Sequence, residues 1–170
     1  MGSEMCIRDR MSTVVDLGGC RVTSFSVAPD AVRVALVLER GKTRALGIGL
    51  LSRQEGAVHL SHIADIPLSS SDVNLSIITD VAWLSQTRLC VLGRAIDAGV
   101  TTPYEIAVDG SGATSMGQLT ATSMAAVVAL PKETGTEAVV LSEDGILLRH
   151  EDSFRWRQIL QGVSAVAVTA

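Results

Sequence analysis

Histidines 59 and 62, in His59-Leu60-Ser61-His62, are the nearest approach to a metal-binding pair in this sequence. On a regular strand, residues three apart point to opposite faces, so the two imidazoles would not meet one ion. His150, followed by Glu151 and Asp152, has the groups to move a proton, but the run reads as the solvated tip of a hairpin. Asp109-Gly110-Ser111-Gly112 has the glycine and acid of a phosphate cradle or a calcium loop. The first needs a following helix whose amino end faces the anion, and the second needs several spaced carboxylates. Neither accompanies Asp109, which leaves a hairpin turn. No Gly-x-Ser-x-Gly nucleophile elbow occurs. These residue types therefore assign no catalytic, cofactor-binding or metal site, and a non-enzymatic protein is expected.

The cysteines and the start of the chain carry a different kind of chemistry. Leu17-Gly18-Gly19-Cys20 has the form of the end of a lipobox, but the apolar helix that must precede one is missing from Ser12 to Asp16. A strand-entry turn is the expected structure there. Cys6 falls within MGSEMCIRDR, which lacks the alternating pattern found beyond Met11, so residues 1–11 read as a non-native or unstructured leader. Cys20 and Cys90 remain as a possible disulfide, although an even count does not argue for one. Cys90 lies in the apolar run Leu89 to Leu92, and buried free thiols are the expected state of both. Asp9, Arg10 and Asp16 interrupt every stretch that would serve as a signal peptide, so no export signal is expected in this chain itself. Asn74-Leu75-Ser76 matches the glycosylation sequon, a motif too short to carry weight.

The elements that hold these residues are legible in the composition and spacing. The chain has 170 residues, 47% hydrophobic and 19% charged, which excludes a disordered protein. No apolar run approaches the roughly 18–20 residues of a membrane-crossing helix. A net charge of -4 with no basic cluster argues against nucleic acid as a partner. Short segments rich in Val, Leu and Ala alternate with turns at steps of about ten residues, the spacing of an all-β fold. Strands are expected at Val22 to Val27, Val32 to Leu38, Ala45 to Leu51 and His59 to Leu68. The order recurs at Asp80 to Leu84, Arg88 to Leu92, Tyr104 to Val108 and Met116 to Leu119. A third cycle runs through Met124 to Leu130, Ala138 to Leu141, Ile146 to His150 and Trp156 to Leu160, with Pro131 to Thr136 as a loop. Val163 to Val168 could open a fourth.

Three four-stranded antiparallel units, at approximately residues 22–70, 80–120 and 124–162, match the repeat of β-propeller blades. Val34 to Leu38, Leu89 to Leu92 and Ala138 to Leu141 are apolar at consecutive positions, so both faces of those strands must be covered, as in stacked blades. Trp83 is expected to be buried in the wedge between sheets with its N–H on a backbone carbonyl, and Trp156, flanked by Arg155 and Arg157, to be partly exposed. Three blades are fewer than the 4–8 that close a propeller, so residues 12–170 read as part of a larger one. Its outermost faces should then expose side chains from Val32 to Leu38 and from Ala138 to Leu141.

The runs SFSVAPDAVRVALV (Ser24 to Val37), DVAWLSQTRLCVLG (Asp80 to Gly93), YEIAVDGSG (Tyr104 to Gly112) and SEDGILLRHEDSFRWRQIL (Ser142 to Leu160), in this order and spacing, resemble the carboxy-terminal β-propeller domain of the actinobacterial LpqB lipoprotein family. The resemblance covers about Cys20 to Ala170 and implies no catalytic residue. It implies an extracytoplasmic, lipid-anchored parent protein with a GerMN-type middle domain, and a protein partner in the extracellular part of the MtrB sensor kinase of the MtrA–MtrB system. The family's signal peptide, lipobox cysteine, GerMN domain and early blades have no counterpart in these residues, so membrane attachment is implied only through the parent's lipid anchor. Two other classes compete with this binding module, a propeller enzyme of hydrolase or lactonase type and a cytosolic scaffold.

Overall fold

A computed structural model describes residues 17, 19–54, 56–69, 73–117, 119, 122–133, 135–152 and 154–167. Twelve strands fill most of this length, and no helix occurs among the described residues. The first four are β1 (Arg21–Val27), β2 (Arg33–Arg40), β3 (Thr43–Gln54) and β4 (Ala57–Ile66). Next come β5 (Leu75–Trp83), β6 (Arg88–Ala95), β7 (Thr102–Ala107) and β8 (Ala113–Ser115). The last are β9 (Met124–Lys132), β10 (Gly135–Ser142), β11 (Ile146–Asp152) and β12 (Arg155–Gln161). Each set of four is one antiparallel meander in which sequential strands are neighbours.

Several boundaries differ from those expected, each for a local reason. The fourth strand of the second sheet is β8, not Met116 to Leu119, because Ala113 and Thr114 pair with Ile106 and Glu105. Met116 follows the strand, its N–H on Pro103 O, and Gly117 then turns the chain at φ 100°. β5 begins at Leu75, five residues early, in a register shifted twice before Asp80. Pro131 to Thr136 is not a loop: β9 continues to Lys132 and Pro131 pairs opposite Thr136. β9 is an edge of its sheet, where a missing ladder donor costs nothing. Residues 163–167 form no strand, so the described part of that segment does not open a fourth cycle.

The sheets stack in chain order, β1 against β5 and β5 against β9. Between the first and second lie Ala35, Val37, Leu46, Ile78, Trp83, Leu89 and Val91. Between the second and third lie Cys90, Leu92, Met116, Met124, Val127, Ala138 and Val140. Successive residues of β6 thus serve two different cores, Leu89 and Val91 one, Cys90 and Leu92 the other, which is why that strand tolerates no polar interruption. Three such sheets stacked through their inner strands are three blades of a β-propeller.

Of the apolar residues expected to be exposed at the outermost faces, Val32 is, at 51%, but the rest of both runs is covered. Val34, Leu36 and Leu38 turn away from the second sheet yet are buried, as are Val139 and Leu141 on the far side of the third. On the first sheet the cover comes from β4. The pairing slips from Ile48↔Ala64 to Leu50↔Ser61, leaving His62 and Ile63 opposite Gly49 in a bulge with His62 at φ 51°. The bulge reverses the alternation and brings Ile63 beside Leu60 on the outward face. Gly47 and Gly49 make room beneath: a Cβ at Gly49 would overlap Leu60 Cδ1, and one at Gly47 would lie 3.0 Å from Ile63 Cγ2. Two glycines and one bulge let the sheet fold its own side chains over its β2 strip.

Candidate functional site

The inner strands are joined by side chains that reach across the seams. Asp80, on β5, accepts from Ser24 Oγ of β1, and its other oxygen accepts from the Val127 N–H of β9 at 2.8 Å. It also accepts from its neighbour Val81 N–H at 3.0 Å. One carboxylate therefore ties the inner strands of all three sheets. Trp83, 2% exposed, donates Nε1–H to Ser26 O at 2.8 Å, and the Arg33 guanidinium lies 5.0 Å from its ring centroid. Arg44 donates to Ile78 O at 3.1 Å and Thr136 Oγ to Leu84 O, adding one tie at each seam.

A cleft lies at the rim where the second and third sheets meet. Its volume is about 370 Å3, and its walls include Arg88, Glu105, Thr114, Met116, His150 and Phe154. It opens because β8 is three residues long and leaves the neighbouring β11–β12 hairpin uncovered. Trp156 holds that hairpin in place, donating Nε1–H to Met116 O at 2.7 Å while its ring meets His150 with centroids 4.9 Å apart. The hairpin tip then leans on Gly117, where φ is 100° and a Cβ would stand 3.2 Å from Phe154 O, so only glycine suits the position. Phe154 is left 67% exposed beside the Arg88–Glu105 ion pair. The cleft offers an aromatic face, a thioether wall and one charged pair, a set suited to recognising a protein surface.

The residues singled out by type are dispersed. His62 lines a groove on the outward face of the first sheet, while His59 pairs opposite Ser52 further along β4. His62 itself lies in the bulge, so the two do not sit on the regular strand assumed for them. No group of three or more potential metal ligands occurs among the described residues. His150 is half-buried against Trp156, not part of a fully solvated tip. Asp152 beyond it is paired with Arg155, whose hydrogen bond holds the carboxyl below the usual carboxylate range. Asp109 closes a turn by accepting from Ser111, which lowers its pKa in the same way. Asn74 is exposed at the edge of β5 and bridges Ser69. Residue type alone misses Phe154 and Asp80. The available signals are an aromatic between charged residues in a turn, and an acid opening the apolar run Val81 to Leu84.

Both Cys20 and Cys90 are free, which removes the disulfide reading. Cys90 is buried between sheets, and that burial pushes its thiol pKa up. Cys20 is only half-buried, a correction to the expectation for it, because it precedes β1 at the open face and accepts from Arg40 Nε at 3.2 Å. With Cys6 replaced by serine, a thiol reagent in dilute solution should modify Cys20 in the folded protein and Cys90 only after denaturant is added. Mass spectrometry of the labelled peptides reads this directly, and equal labelling rates would contradict the burial of Cys90.

The stacked four-stranded sheets define a β-propeller-type fold. The family described as the lipoprotein LpqB β-propeller domain matches residues 8–167, and the chain belongs to that family. It is 98% identical over 161 residues to Lipoprotein LpqB of Cutibacterium acnes, an overlap covering 95% of this chain and 27% of that protein. It is 30% identical over 141 residues to Lipoprotein LpqB of Streptomyces avermitilis, covering 83% of this chain and 23% of that one. The chain thus spans about a quarter of the length of the curated relatives it matches. No solved structure matches it.

Proposed function

We propose that this chain is a non-enzymatic protein-binding module of an extracytoplasmic, lipid-anchored protein, and that it supports two-component signalling by contacting the extracellular part of the MtrB sensor kinase. The observation that carries the reading is Phe154, an exposed aromatic at the mouth of the rim cleft. Exposed aromatics and arginines beside a concave surface are the common anchors of protein interfaces. The relatives, all named as lipoproteins, support an anchored parent outside the cytoplasm. The net charge of -4 favours a protein over a nucleic acid as partner, and the membrane is reached only through the parent's anchor.

The test is a binding measurement between the parent ectodomain and the extracellular domain of the sensor kinase, with Phe154→Asp and Arg88→Glu variants. Phe154→Asp should weaken binding by about 2 kcal/mol or more, roughly thirtyfold, while leaving the unfolding midpoint unchanged. Wild-type affinity in both variants would remove the cleft from the interface, and failure of the wild type to bind would remove the partner.

A further inference from the structure

Arg88, Glu105 and Thr114 share one face of the second sheet by register. Cys90 pairs opposite Glu105 and lies in the core between the second and third sheets, Arg88 stands two residues before Cys90 on β6, and Thr114 pairs opposite Glu105 on β8. Side chains two apart on a strand, and those directly opposite on neighbouring strands, point the same way. All three therefore face the β11–β12 hairpin, where His150 and Phe154 complete the rim cleft, and the two walls of the cleft are adjacent sheets of the stack.

Two ion pairs flank Phe154, and in each the arginine is the more exposed member. The Arg88 side chain is 61% exposed against 31% for Glu105, and that of Arg155, next in the chain to Phe154, is 73% exposed against 52% for Asp152. An approaching surface thus meets guanidinium before carboxylate, although the whole chain carries a net charge of -4. Arg155 donates through Nε and Nη2 to the two oxygens of Asp152. Arg88 donates to Glu105 through Nη1, and its Nε and Nη2 make no hydrogen bond to the described residues. That open edge matches the two oxygens of a carboxylate, with which arginine forms strong, directional paired hydrogen bonds. A basic group would instead find Glu105 already engaged beneath Arg88. We infer that the cleft recognises an acidic segment of a partner protein, with an Asp or Glu carboxylate held by Arg88 and an adjoining apolar side chain laid against Phe154. This rests on the reading of the cleft as a protein-binding site and adds the chemistry of what it binds.

Fluorescence anisotropy with the parent ectodomain tests the inference, using labelled peptides that carry Asp-Phe-Asp, Lys-Phe-Lys or Asp-Ser-Asp between Gly-Ser flanks. The Asp-Phe-Asp peptide should bind at least about tenfold more tightly than the other two, the difference that one charge-assisted hydrogen bond or one buried apolar contact supplies. Arg88→Gln should bring the Asp-Phe-Asp and Lys-Phe-Lys peptides within about twofold of each other, and Arg88→Glu should reverse their order. Lys42→Gln, in the β2–β3 turn, should leave the preference unchanged. Arg88 is largely exposed, so the glutamine variant should keep the wild-type unfolding midpoint; if Arg88→Glu destabilises the chain beside Glu105, the glutamine variant carries the reading. Equal affinities for any two of the peptides in the wild type, binding of none of them, or a preference that survives Arg88→Gln would overturn the proposal. If one of these results came together with loss of sensor-kinase binding in Phe154→Asp, the cleft would stand as a protein-binding site and only its acidic preference would fall.

Discussion

Trp83→Ala is expected to remove about 3–5 kcal/mol of stability, enough to bring a domain of ordinary stability to the edge of unfolding. The indole is 2% exposed, packs among Val37, Leu46, Val81 and Leu89, and donates to Ser26 O across the first seam. Truncation leaves a cavity at that seam, an orphaned carbonyl on β1 and an Arg33 guanidinium with no ring beneath it. Trp83→Phe should cost less, about 1–2 kcal/mol, because most of the burial survives and chiefly the N–H bond is lost. Urea unfolding followed by circular dichroism measures both. An unchanged midpoint for the alanine variant would show that the seam does not depend on the indole.

The second large effect belongs to Asp80. Asp80→Ala should destabilise the chain by about 2–4 kcal/mol, because the Ser24 hydroxyl and the Val127 N–H lose their acceptor together in a partly buried setting. Asp80→Asn keeps one carbonyl oxygen and should fall between alanine and wild type. A double-mutant cycle with Ser24→Ala isolates the β1 arm: once Asp80 is gone, removing the Ser24 hydroxyl should cost almost nothing further. Additive losses at the two positions would mean that the carboxylate does not tie β1 to β5 in solution.

Consecutive apolar residues made the architecture readable. Leu89 to Leu92 has no polar face, and the structure places those side chains alternately in two cores. The tryptophans were legible for a similar reason, since an indole in a strand of stacked sheets needs both a wedge to fill and an acceptor for its N–H. Features that depend on pairing between distant residues were not legible. Pro131 looks like a breaker until β9 is known to be a sheet edge. Val34, Leu36 and Leu38 look destined for exposure until the His62 bulge and the two glycines bring Leu60 and Ile63 over them. The rim cleft was invisible because Arg88, Met116 and Phe154 belong to separate hairpins, and only the lean of the β11–β12 tip onto Gly117 brings them together.

The second sheet, enclosed on both faces, couples the two cores of the described stack. Packing runs from the first sheet to the second and from the second to the third, so cooperativity passes between nearest neighbours, as in a linear array of repeats. The first and third sheets each bury an inner face against the second, so β5 to β8 share in both cores. Trp83 lies at one seam and Trp156 at the other, so single-tryptophan variants made by replacement with Phe would report the two seams by separate fluorescence signals during unfolding.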